Sequence, residues 1–200
     1  GGVYTSVMQG RVKRTEFFLR DRIGFLNQIK DEIEKAIKKH KDEAIVTIRL
    51  NGTSDLSYEN FKVFDGKNIF ELFPNIQFYD YTKNWTRFNK PLPANYHLTF
   101  SRSETNHDKA MELLRKGVNV AIVFDKLPKT YEGFEVINAD ENDLRFLDKK
   151  GVVCGLKYKK MTGKGGAEKN KAAFENGFVL KVSSPSKSKK VDERKFVNAA

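Results

Sequence analysis

The chain has 200 residues, a formal charge of +11, 39% hydrophobic and 32% charged residues, and one cysteine. That length can bury a real core. No apolar run approaches the roughly 20 residues that span a bilayer, and no signal-peptide pattern opens the chain. The lone Cys154 excludes an internal disulfide and any cysteine-built zinc or iron–sulfur site made by this chain alone.

The first predicted element is a long helix over residues 6–40. Ser6 and Gln9 make a capping box. Val12, Leu19, Leu26 and Ile33 recur every seven residues, and Ile23, Ile29 and Ile37 widen the same face. Gly24 weakens this helix without ending it. The lysines of 35–41 suit a helix carboxyl end. Such a helix covers a sheet.

Strand-like runs follow at 45–50, 76–81, 96–101, 118–124, 134–139 and 152–157, with a last one at 177–182. Most carry consecutive apolar residues, as strands covered on both faces do. Between them, 56–64 and 68–73 read as short helices. Thr105 with Asp108 opens a helix that stops at Gly117, and Asp140 caps a short helix over 140–148. Residues 161–171 read as a Gly/Lys-rich loop. The alternation predicts βαβ units and a parallel sheet. We expect an α/β fold, a partial or compact (β/α) barrel of six to seven mostly parallel strands, because the connections after Phe124 and Ala139 are short for crossovers. Residues 1–182 form this domain and 183–200 a polar, basic, flexible tail.

In such a barrel the strand carboxyl ends face one side and carry the chemistry. They hold Arg49, Asn51, Ser54 and Asp55; Tyr79, Asp80, Tyr81, Thr82 and Lys83; Thr99, Ser101, Arg102, Ser103 and Glu104; Asp125 and Lys126; Asn138, Asp140, Asp143 and Arg145; and Lys157 and Lys159. Arg49, Asn51, Lys83, Ser101 and Arg102 are the candidate ligand-binding residues. Asp55, Asp80, Glu104 and Asp140 are the candidate acid/base groups, and carboxylates of this kind can also hold a hard divalent cation. Plainer roles stand beside these: Ser54 and Asp55 as caps, Arg49 and Asp80 as an ion pair, Lys83 and Arg102 as solvated surface.

Other chemistries fail. The three His show no metal spacing, His97 reads as packed within a strand, and Cys154 as a small core residue. The GKGG run at 163–166 lacks Walker spacing. Tyr79, Tyr81, Trp85 and Phe88 adjoin Lys83, Arg87 and Lys90, which offers base stacking against simple loop packing.

The stretches VKRTEFFLRDRIGFL, RLNGTSDLS, IFELFPNIQFYDYTK, PANYHLTFSRSE, VNVAIVF and INADENDLRFLDKKGVVCGLKYK resemble the bacteriophage gene-product-eighty-eight-like domain family. The resemblance implies a partial (β/α) barrel distantly similar to radical-SAM enzymes, and a phage protein of the host cytoplasm or the virion. Such proteins carry a cysteine-rich segment before the position where this chain starts. Here the first residue is Gly1 and no CxxxCxxC occurs, so no iron–sulfur cluster is carried over. That start fits a part removed upstream or a piece of a longer product.

Two functional readings of different kinds follow, with a third beside them. The first is a barrel-like enzyme or enzyme remnant binding a polar anionic ligand, phosphate-bearing or nucleotide-like. The second is nucleic-acid or other polyanion association through the basic end: from Lys157 to Ala200 twelve Lys/Arg face four Asp/Glu, and cations neutralise phosphates. The third is a processed virion component without catalysis. No membrane partner is expected.

Overall fold

A computed structural model describes residues 5–40 and 45–182. Two helices, α1 (Thr5–Arg20) and α2 (Arg22–His40), replace the single helix expected from the heptad spacing. Asp21 divides them. Its N–H still donates to the Phe17 carbonyl, while its carboxylate accepts from the Gly24 N–H at 2.8 Å and so caps α2. Phe17 and Phe18 both meet Phe25 edge-on, at 5.6 and 5.4 Å. Seven or eight residues of straight helix would span about 11 Å, so the chain bends here. Of the two, α2 reaches the core, through Leu26 and Ile33.

The strands are β1 (Thr47–Ile48), β2 (Gln77–Thr82), β3 (Tyr96–Ser101), β4 (Val120–Phe124), β5 (Thr130–Tyr131), β6 (Phe134–Asn138), β7 (Val153–Lys157) and β8 (Val179–Leu180). They form one sheet in the order β1-β2-β3-β4-β7-β6-β5, with β8 pairing to β4 off that path. Every pair is parallel except the β5–β6 hairpin. The α/β class and the mostly parallel sheet are as expected. The strand order is not that of a sequential barrel. After β4 the chain runs outward to β6 and returns to place β7 between them, and among the described residues no pairing joins β1 to β5.

That reversal decides what covers each face. From β1 to β4 the chain advances in one direction, so right-handed crossovers place its connections on one face. There α2, α3 (Ile69–Leu72) and α4 (His107–Arg115) pack. From β6 to β7 it advances the other way, so the 139–152 crossover falls on the opposite face, where Phe146 lies 5.7 Å from Tyr79 and Asp143 bonds Tyr81. Alternation along each strand then sorts the side chains. Phe78, Asp80 and Thr82 face the helices; Tyr79 and Tyr81 face the crossover.

The core on the helical side has two parts. Leu26, Ile33, Ile69, Phe70, Phe78, Tyr96 and Leu98 form one. Phe100, Met111, Leu114, Val120, Ile122, Phe124 and Val153 form the other. Each such side chain removed from water contributes roughly 1.5–3 kcal/mol. A Cβ on Gly155 of β7 would stand 2.7 Å from Val136 and 2.9 Å from Leu127, so glycine lets β7 fit between its neighbours beneath the β4–β5 loop.

Four local expectations change. The 56–64 helix shrinks to a 3-10 turn, Tyr58–Asn60. The 140–148 helix shrinks to Arg145–Leu147, because the Asp140 carboxylate accepts from the Lys157 N–H instead of capping a helix. The helix before Gly117 starts at His107, with Asn106 bonding Ser103 and Ser101 in place of a Thr105–Asp108 box. The 161–171 loop contains the start of α5 (Gly166–Glu175), entered through Gly165 at φ +73°. Its Ala, Glu and Lys are strong helix formers that the neighbouring glycines obscured. The 68–73 prediction corresponds to α3, with a full Asn68–Glu71 capping box. The tail at 183–200 lies outside the described residues.

Candidate functional site

The carboxyl edge of β1–β3 carries two polar groups, one on each face. On the helical face the RLNGTSD segment folds around Asn51, whose Oδ1 accepts from the Ser54 hydroxyl and the Leu56 N–H, both at 2.8 Å. Asp80 accepts from the Asn51 N–H at 2.7 Å, the Asn51 amide at 3.2 Å and the Tyr96 hydroxyl at 3.1 Å. Arg87 grips Glu59 with two bonds of 2.8 and 2.7 Å, and reaches Asp55 at 3.2 Å and the Tyr96 hydroxyl at 2.9 Å. Asp55 also accepts from the Thr82 hydroxyl and the Lys83 N–H. Burial pushes the Asp80 carboxyl up to about 6, against the opposing hydrogen bonds from Asn51 and Tyr96 and the charge of Arg87. Its members are bonded to one another, so this network holds the 51–60 and 82–90 loops in place.

Across the sheet the arrangement differs. Arg49 pairs with Asp143 and lies over the Tyr81 ring, 4.8 Å from its centroid. Tyr81 donates to the other Asp143 oxygen at 2.8 Å. Arg49 and Asp80 therefore do not pair with each other: alternation puts them on opposite faces. Beneath this contact Arg145 is 1% exposed. One nitrogen donates to the Asn142 carbonyl and side chain, and Nη1 stands 3.3 Å from Asp148. Yet Arg145 Nε, Thr99 Oγ1 and His97 Nε2 are buried with no hydrogen-bond partner, and Arg145 Nη1 has only its ion pair with Asp148. Burial also drives the His97 imidazole down, towards its neutral form. Cys154, 3.8 Å from Asp148, is pushed up to about 12, chiefly by burial, which makes it an inert core thiol. Buried polar atoms without partners are rare. These form a donor-rich cluster on one sheet face under one crossover.

The other candidates are dispersed. Arg102 spends its guanidinium on the Gly177 and Phe178 carbonyls, at 2.6 and 3.1 Å, tying the end of β3 to the entry of β8. Ser101 stands at the end of β3, its carbonyl accepting from Asn106. Lys83 and Glu104 are exposed. The Lys157 N–H, then Lys159, hold the Asp140 carboxyl below its ordinary range. No group of three or more His, Cys, Asp or Glu among the described residues is placed to hold a metal ion. With a single buried cysteine, this chain does not fit an iron–sulfur cluster by itself. The aromatic–basic run forms no stacking platform: Tyr79 and Tyr81 lie under the crossover, Phe88 packs on Phe100, and Trp85 sits under Lys109. A groove of about 860 Å³ opens beside the Arg87 network, bordered by Asn60, Lys62, Asn89 and Pro91. Its buried polar groups are already bonded, whereas the unmatched donors are on the other face.

Sequence reading missed Glu59, Arg87 and Tyr96 as network members and His97 as a site residue. Only the handedness rule, applied to the β6–β7 return, could have brought Arg145 and His97 together.

Fold and site define an α/β protein with a mostly parallel sheet and a polar cluster at the carboxyl ends of its first three strands. No curated protein and no solved structure matches the chain. The family model for gene product 88 matches residues 2–177. The chain belongs to the gene product 88 family, and is a phage protein. No helix among the described residues is long and apolar enough to cross a membrane.

Proposed function

We propose that this phage protein binds a small polar ligand with an anionic, phosphate-type group on the crossover face of its sheet, from the carboxyl end of β1 across β2 and β3. The observation that carries this reading is the buried Arg145 guanidinium, with Nε unmatched and Nη1 held only by its ion pair with Asp148, beside the unmatched His97 Nε2 and Thr99 Oγ1. A guanidinium presents a planar fork suited to an oxyanion. Arg49 at the rim, over the Tyr81 ring, supplies a second cation, and Ser101 stands at the end of β3. The enzyme reading, which starts from Asp55, Asp80, Glu104 and Asp140, turns on this face to Asp143 and Asp148 as the carboxylates beside Arg49 and Arg145. Asp55 and Asp80 serve the loops of the other face. The more distant likeness to radical-SAM barrels enters only through S-adenosylmethionine as one probe.

Calorimetry with inorganic phosphate, AMP, ATP and S-adenosylmethionine tests this. At least one probe should bind saturably, and Arg49→Ala should weaken it about tenfold or more, the size of a charged hydrogen bond. Indifference of the wild type to every probe, or equal affinity in Arg49→Ala, rejects the site.

The second reading, polyanion binding through residues 183–200, rests on the charge excess of that end. Deleting those residues should flatten the salt dependence of DNA or RNA binding.

A further inference from the structure

We propose that the folded carboxyl edge of β4, β7 and β8 is itself a docking surface for the phosphodiester backbone of nucleic acid. It is separate from the ligand site under the crossover and uses none of residues 183–200. Lys126 follows β4, Lys157 ends β7, Lys160 and Lys164 lie on the loop into α5, and Lys181 follows β8. Phe124 of β4 is flanked by Lys157 on one side and Leu180 on the other. At roughly 4.8 Å between strands, these three chain ends lie within about 10 Å. All five lysines are exposed, and none forms an ion pair with a carboxylate among the described residues; the pair at this edge is Lys159 with Asp140.

The carboxylates here are engaged by the main chain. Asp125 accepts from the Lys126 and Val182 N–H groups, which ties the exits of β4 and β8 together. Asp140 accepts from the Lys157 N–H. The lysine-bearing loop is anchored as well: Asn170 accepts from the Tyr158 hydroxyl and the Met161 N–H and donates to the Met161 carbonyl. Lys181 lies over the Phe174 ring at 5.7 Å. The cations are therefore presented from an ordered frame, which lowers the conformational cost of setting them on a polyanion. A membrane surface fits less well, because interfacial helices need a broad apolar face. Met161 is the one large hydrophobic residue exposed between Lys157 and Val182 among the described residues.

The test measures binding of a labelled 25-base-pair DNA duplex to the full chain across a salt series. Lys126, Lys160 and Lys164 are changed together to Gln in one variant, and Lys187, Lys189 and Lys190 in another. Each phosphate neutralised adds about 0.9 to the slope of log K against log salt. The folded-edge variant should therefore lose roughly 2 to 3 from that slope with the tail intact. An unchanged slope in that variant, with the loss confined to the tail variant, overturns the proposal. So does a wild type that binds no DNA, or one that binds vesicles containing phosphatidylserine but not DNA.

Discussion

The two halves of the sheet are built from different materials. Around β4 and β7 the helical face is wholly apolar: Val120, Ile122, Phe124 and Val153 against Met111 and Leu114. Its cations are left at the strand ends, with their charges outward. Around β1–β3 the same face holds Asp80, Asn51, Arg87 and Tyr96 among Phe78 and Leu98, all nearly buried. Hydrophobic burial is non-directional, so the first half gains stability without dictating where its loops go. The second half trades some of that stability for direction. Each buried charge must meet its partner in one geometry, and the 51–60 and 82–90 loops are placed by that demand.

The sharpest way to break this contrast is to remove the hub of the polar half. Arg87→Met strands Glu59 and Asp55 beside a buried apolar chain and should cost about 3–5 kcal/mol in urea unfolding. Adding Glu59→Gln should recover part of the loss. Recovery would show that the cost is an unpaired charge and not lost packing.

A second test separates the halves by pH. The Asp80 carboxyl titrates at about 6 when folded, against an ordinary 3.8. Between those values the folded state holds more proton than the unfolded one, so this group's contribution to stability falls as pH rises from about 4 to about 6 and is flat above. The fall should amount to about 2–3 kcal/mol and be missing from Asp80→Asn. Ile122→Val in the apolar half should cost about 1 kcal/mol, equally at pH 4.5 and 7. A pH-dependent cost there, or an unchanged pH slope in Asp80→Asn, would erase the contrast.

The smallest effect belongs to the rim. Arg49 and Asp143 are 32% and 47% exposed, so Asp143→Ala should cost under about 1 kcal/mol. It should nevertheless speed hydrogen exchange across the 139–151 crossover while leaving β4 protected. Unchanged exchange there would mean that Tyr79–Phe146 packing alone holds the crossover down.

Much of this was legible in the chain. The runs now seen as β2, β3, β4, β6 and β7 were readable within a residue or two, because continuous apolar segments mark strands covered on both sides. The polar ends of RLNGTSD and QFYDYT were readable as sites of interaction. Their partners were not. Arg49 reads as equally near Asp80 or Asp143 until the face of each strand is known. Arg87 looked like one more cation in a basic loop, although its side chain is 2% exposed and closes the network. Arg102 looked like a ligand clamp, and the β3–β8 junction takes its donors instead.

Local pattern by itself determined the α/β class, the parallel pairing and the apolar strands, since continuous apolar runs and the helical segments between them are local quantities. Only the tertiary structure decided the strand order. The return of β7 beside β4 sends a right-handed crossover to the uncovered face, and that crossover carries Asp143, Arg145 and Asp148 onto Arg49, Tyr81, His97, Thr99 and Cys154. Handedness acts on the direction of travel across the sheet, and no stretch of sequence states that direction until the sheet exists.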